Sequence, residues 1–110
     1  MRVHLIKKLT IQNFVDGHAP AKSSFETWVT IVKYADWETP ENIRQTFGAA
    51  DLLGQGSSRV VFNIGGNNYR MICKYHFGYS QVHLFVCWTG THAEYDELCD
   101  HFEQYIVNVH

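Results

Sequence analysis

Residues 59–96 constrain this chain most. Val60 to Ile64 form an apolar run, and Gly65-Gly66-Asn67-Asn68 is a turn signal. A second run, Tyr69 to Phe77, is broken by Gly78-Tyr79. A third, Gln81 to Trp88, ends at Thr89-Gly90-Thr91. Short connections of this kind join antiparallel strands, since a parallel pair needs a long crossover. The segment therefore reads as three consecutive antiparallel strands followed by a helix.

Alternation sorts the side chains. One face takes Val60, Phe62, Ile64, Tyr69, Met71, Cys73, Tyr75, Val82, Leu84, Val86 and Trp88, and is a core face. The other takes Arg59, Val61, Asn63, Arg70, Ile72, Lys74, His76, His83, Phe85 and Cys87, and is mixed and partly cationic. A loop at Gly65 to Asn68 sets Ile64 opposite Tyr69, Asn63 opposite Arg70 and Arg59 opposite Lys74. A two-residue turn at Gly78-Tyr79 sets Lys74 opposite His83 and Arg70 opposite Cys87. Cross-strand Cβ atoms lie roughly 5 Å apart. The expectation is one cluster of Arg59, Asn63, Arg70, Lys74 and His83, with His92 near its Arg70 end.

A length of 110 residues implies a single domain, 1–110. A net charge of −2 argues against a general high-affinity nucleic-acid binder but permits a local cationic patch. Three cysteines without metal-like spacing read as free thiols in a reducing compartment. No apolar stretch approaches the roughly 18 residues of a membrane span, and no signal peptide is visible, so a cytoplasmic location is expected.

Upstream, Arg2 to Ile6 alternates like a short strand able to add to an edge of the sheet. A helix is expected over 7–15, with Leu9, Phe14 and Val15 apolar, stopped by Asp16 to Pro20. Phe25, Trp28, Val29, Val32 and Ala35 lie at helical spacing, capped by Ser23 or Ser24. Thr39-Pro40-Glu41 starts a further short helix. Residues 51–58 read as a loop. Thr91 and Glu94 form a capping box, after which Tyr95, Leu98, Phe102, Tyr105, Ile106 and Val109 share a helical face. That helix is expected on the core face of the sheet or on the N-terminal helices. The plan is α+β.

Arg70 offers five N–H donors on a rigid strand, suited to a phosphate, though a solvated arginine paired with an acid fits the same pattern. His92 opens a helix, where it can exchange protons or simply be exposed. Tyr95 fits either a site or the core. Arg59 and Lys74 supply positive field or a solvated strand face. Asn63 can hold a phosphate or sugar oxygen, or end the hairpin. No HxH, HExxH or CxxC is present, so no metal site and no cofactor are expected.

The run from Arg59 through Asn63 to Tyr69-Arg70, followed by Thr91-His-Ala-Glu-Tyr-Asp, resembles the HigB family of type II toxin–antitoxin toxins, a branch of the RelE-like ribonucleases. Trp37-Glu-Thr-Pro-Glu-Asn-Ile-Arg, Phe47 and Ala49-Ala50-Asp51 fit as well. The resemblance implies a RelE-like α+β fold, with N-terminal helices and a C-terminal helix packed on a small antiparallel sheet. It implies metal-independent mRNA cleavage in the ribosomal decoding site, by 2′-OH attack on the adjacent phosphate. It implies a HigA-type helix-turn-helix antitoxin as partner. Carried onto this chain, Arg70 matches the phosphate-stabilising arginine, His92 is the acid–base candidate and Tyr95 is a further catalytic candidate. Arg59, Asn63, Lys74 and His83 are expected to contact RNA. RelE itself carries lysines where this chain has Val61 and Asn63. The same scaffold also hosts gyrase-poisoning ParE toxins, and a catalytically degenerate antitoxin-binding module is the third possibility.

Overall fold

The computed structural model describes residues 1–109. Its five strands are β1 (Arg2–Ile6), β2 (Asp51–Leu53), β3 (Arg59–Ile64), β4 (Tyr69–Phe77) and β5 (Gln81–Thr91). They form one sheet in the order β1-β5-β4-β3-β2. From β2 to β5 the pairing is antiparallel, but β1 lies parallel to β5. The sheet is therefore mixed, where a purely antiparallel one was expected. The long helical excursion after β1 supplies the crossover that a parallel pair requires.

That excursion contains α1 (Lys8–Gly17), α2 (Lys22–Lys33) and α3 (Pro40–Thr46). All three pack on one face. Ile11, Val15, Phe25, Trp28, Val32 and Ile43 meet Val60, Phe62, Met71, Val82 and Leu84 in the main core. Each fully buried large apolar side chain there contributes about 1.5–3 kcal/mol relative to exposure. Leu9, expected inside, is 69% exposed, because Ile11 and Val15 define the inward stripe of α1. Neither Ser23 nor Ser24 caps α2, which continues directly from a 3-10 turn at Ala19–Ala21. Pro40 at the start of α3 behaves as expected, and the Asn42 carboxamide accepts the Thr39 N–H at 3.0 Å.

Segment 51–58 is not all loop, since β2 pairs with β3. The β3–β4 register matches expectation at Ile64–Tyr69, Asn63–Arg70 and Arg59–Lys74. The β4–β5 register does not. Gly78 N–H donates to Gln81 O at 3.0 Å, so the turn is Tyr79-Ser80, one residue later than expected. Lys74 then faces Phe85, and His83 faces His76. This slip by two keeps each residue on its face. A bulge at Cys87 follows: Val86 pairs with Cys73 and Trp88 with Ile72, leaving Cys87 as the extra residue. The bulge turns Trp88 to the second face and puts Arg70 opposite Gly90.

The second face is covered by α4 (His92–Asp100), whose Leu98 and Tyr95 pack with Val61, Ile72, Cys87 and Trp88. This corrects the expected position on the core side. The helix also ends earlier than its apolar stripe suggested. Phe102 takes a left-handed backbone (φ 56°), and Phe102, Ile106 and Val109 are exposed. The chain unwinds there into segment 103–109, where Arg59 takes up the Gln104 and Val107 carbonyls.

Candidate active site

The Asn67-Asn68 turn gathers the candidate catalytic groups. Gly65 and Gly66 reverse the chain with φ of 65° and 68°, a conformation that favours glycine. Arg70, only 8% exposed, then folds back on the turn. Its Nη1 donates to Asn67 O and Tyr69 O, both at 3.2 Å, and its Nη2 to Asn67 Oδ1 at 3.3 Å. The His92 backbone N–H donates to Asn68 O at 3.0 Å. One turn therefore holds both the guanidinium and the first residue of α4.

The start of α4 is built by its cap. Thr91 Oγ1 accepts the Glu94 N–H at 3.2 Å, and Glu94 Oε1 accepts the Thr91 N–H at 2.8 Å. His92 is thereby fixed in the first turn with its imidazole half exposed, and Nε2 lies 3.7 Å from Asp96 Oδ2 one turn on. Tyr95 is half-buried, with its ring 6.2 Å from that of Trp88. Burial pushes the Tyr95 phenol well above the usual tyrosine range, and a hydrogen bond with Cys99 adds to this. The nearby Arg70 charge opposes it more weakly. The phenol is thus a neutral hydrogen-bonding group, not a phenolate base.

The seven residues expected at the site divide into three groups. Arg70, Asn63, His92 and Tyr95 gather at the end of the sheet where β4 begins. Lys74 and His83 lie on the same face further along, toward the far end of β4. Arg59 lies beneath the C-terminal segment, 7% exposed, with Nη1 donating to Gln104 O at 3.2 Å and Val107 O at 2.7 Å. The expected single cluster is thus broken up. The slipped turn moves His83 away from Lys74, and segment 103–109 covers Arg59.

Asn67, Asp96 and Trp88 were not singled out as site residues. Asp96 was legible in principle, four positions after His92 on a capped helix. Asn67 reads only as a turn former until the arginine is seen to fold back. Trp88 required the bulge. A depression of about 450 Å³ between α1 and α2, lined by Ile11, Val15, Phe25 and Val29, lies on the helical side, away from these groups. Among the described residues, no group of three or more His, Cys, Asp or Glu side chains is placed to hold a metal ion.

The profile of the HigB toxins, described as the RelE-like toxic component of a toxin–antitoxin system, matches residues 21–98. The chain belongs to the HigB toxin family. The matched span contains Arg70, His92, Tyr95 and Asp96. An mRNA interferase HigB from Escherichia coli O6:H1 is 26% identical over 102 residues, covering 93% of this chain and 97% of the relative. The mRNA interferase toxin HigB of Escherichia coli strain K12 is 22% identical over 94 residues, covering 86% and 88%. The mRNA interferase HigB of Shigella flexneri shows the same identity and coverage. The α+β architecture of four helices on a five-stranded sheet is consistent with the RelE-like fold of this HigB family.

Proposed function

We propose that this HigB-family chain is an mRNA endoribonuclease, the toxin of a type II toxin–antitoxin pair, acting in the cytoplasm on mRNA in the ribosomal decoding site. The observation that carries this reading is the common Asn67-Asn68 anchorage of Arg70 and His92. A cation fixed on the same turn that anchors the backbone of a helix-opening histidine suits phosphodiester cleavage by the neighbouring 2′-OH.

In this reaction the 2′-oxygen bonds to phosphorus as the bond to the 5′-oxygen breaks. The products are a cyclic phosphate and a 5′-OH end. Arg70 meets the charge that develops on the phosphoryl oxygens, and its preorganisation lowers the cost of doing so. His92 moves a proton at the 2′- or 5′-oxygen, held by Asp96. Tyr95 supplies a neutral O–H beside the same phosphate. Asn63 faces Arg70 and contacts the RNA strand. A HigA-type helix-turn-helix antitoxin is the partner that restrains the activity.

The test is induced expression with mRNA 5′-end mapping, using translated and untranslated reporters. Cleavage confined to translated frames is expected, and Arg70→Ala should abolish both cleavage and growth arrest while the protein stays folded. Full toxicity from folded Arg70→Ala would overturn the assignment. Growth arrest with intact mRNA would redirect attention to gyrase.

A further inference from the structure

The half of the second sheet face that α4 leaves open carries a row of three histidines across three strands. His4 on β1 pairs with His83 on β5, which pairs with His76 on β4. The ring centroids are 5.9 Å apart for His4–His83 and 6.0 Å for His76–His83. Arg2 flanks the row on β1 and Lys74 on β4, both exposed, with the half-buried Phe85 ring 6.5 Å from His83. Beside it, Lys7, Lys74 and His76 rim a depression of about 430 Å³ over Phe85, with Arg59 and Asn108 at its inner side.

Strands β1, β3, β4 and β5 contain no Asp or Glu. Asp36, whose backbone pairs with that of Arg2, and Glu38 lie by the start of β1, and both carboxylates are engaged by the Met1 amine. In a chain of net charge −2, these four strands thus bring no acid of their own to the strip. His76 lies six positions beyond Arg70 on β4, roughly 20 Å along the strand. The strip is therefore distinct from the Arg70 site, though on the same face.

We propose that this strip is a second contact surface for single-stranded RNA, gripping the phosphate backbone away from the cleavage centre, with its charge set by three histidines so that the grip tightens as pH falls. The proposal rests on the reading of the chain as a ribonuclease. Cationic side chains on an acid-free strand surface match a phosphodiester chain, and Phe85 with the imidazole rings offers π-faces for bases. Imidazoles gain charge across the range pH 8 to 5, so the number of phosphates neutralised rises there. Each single-strand phosphate contact contributes about −0.7 to the slope of log K against log salt.

The experiment is a salt titration of a fluorescent 2′-O-methyl RNA oligonucleotide, which cannot be cleaved, at pH 8.0 and pH 5.8. The wild-type slope should steepen at the lower pH, by at most about 2, the limit set by three contacts at about 0.7 each. The folded triple variant His4→Gln, His76→Gln, His83→Gln should lose that increment. If the triple variant does not fold, the exposed single variants His4→Gln and His76→Gln should each lose part of it. Lys74→Gln should lower the slope by about 0.7 at both pH values. A wild-type slope independent of pH, or an increment that survives the triple substitution, would overturn the proposal. So would tight binding of a polyglutamate peptide with no binding of RNA, which would make the strip a site for an acidic partner. Because the oligonucleotide is not cleaved, these outcomes are independent of the Arg70→Ala cleavage test.

Discussion

Arg70 and Gly90 face each other across the β4–β5 ladder, and the Trp88 indole occupies the space that a side chain at position 90 would need. A Cβ on Gly90 would lie 2.4 Å from Trp88 Cη2 and 2.5 Å from Cζ2. The glycine is thus part of the packing beside the site, since it lets the ring lie over position 90, opposite the arginine.

Gly90→Ala should force the indole to move. Overpacking of this kind costs about 1–3 kcal/mol. The expected result is a lower urea midpoint and altered tryptophan fluorescence, with reduced cleavage because Tyr95 loses its ring neighbour. Adding Trp88→Leu should recover part of the stability. Unchanged fluorescence and midpoint would show that the ring has another place to go.

The pH dependence of stability on the alkaline side follows from two groups. Burial pushes the Tyr95 phenol and the Cys73 thiol up, so the fold favours their neutral forms. The unfolded chain loses these protons first, at roughly pH 8.5 for a thiol and 10 for a phenol. Their contribution is full below those values and is lost as pH rises toward the folded-state values. Urea midpoints should fall between pH 8.5 and 11, and Tyr95→Phe should flatten the upper part of that fall. A Tyr95→Phe profile superimposable on wild type would remove the phenol from the account.

The legible and illegible parts of this chain differ in the range of the contacts that decide them. The β3–β4 register could be read because Gly65-Gly66-Asn67-Asn68 leaves one loop length, and the cap at Thr91 because its partner Glu94 is three residues away. Tyr79-Ser80 competed with Gly78-Tyr79 as the next turn, and nothing local decides between them. The bulge at Cys87 leaves no mark in the alternation until its far side is seen packing with α4. Arg59 looked like a surface cation because the carbonyls it binds lie 45 and 48 residues away. Arg70, His92 and Tyr95 could be named as candidates from their types and spacing, whereas the anchorage of Arg70 on Asn67 could not.

Asp96 should act by positioning His92. Both side chains are more than half exposed or close to it, and 3.7 Å apart. A pair so placed is worth about 0.2–1 kcal/mol. Asp96→Asn should therefore slow cleavage by no more than roughly fivefold, whereas His92→Ala should cost about 10²–10⁴-fold if the imidazole moves the proton. High salt should shrink the Asp96→Asn effect by screening the pair in the wild type. An Asp96→Asn loss as large as that of His92→Ala, unaffected by salt, would instead put the carboxylate itself on the substrate.

Arg59 provides the sharpest separation between a structural and an RNA-binding role. Its guanidinium is buried and ties two carbonyls of segment 103–109 to β3, while Val109 N–H donates to Cys87 O at 3.1 Å on the far side. Hydrogen bonds involving a charged partner contribute about 1.5–3 kcal/mol, so Arg59→Ala should lose a stability of that order. The amide of Val109 should exchange faster with solvent as the segment loosens. Arg59→Lys should recover only part of this, since one ammonium does not reproduce the planar fork. If Arg59→Ala keeps wild-type stability and Val109 protection but loses RNA cleavage, the arginine leaves its carbonyls to bind substrate. If stability and protection fall together while cleavage per folded molecule is kept, it serves to hold the C-terminal segment over the sheet.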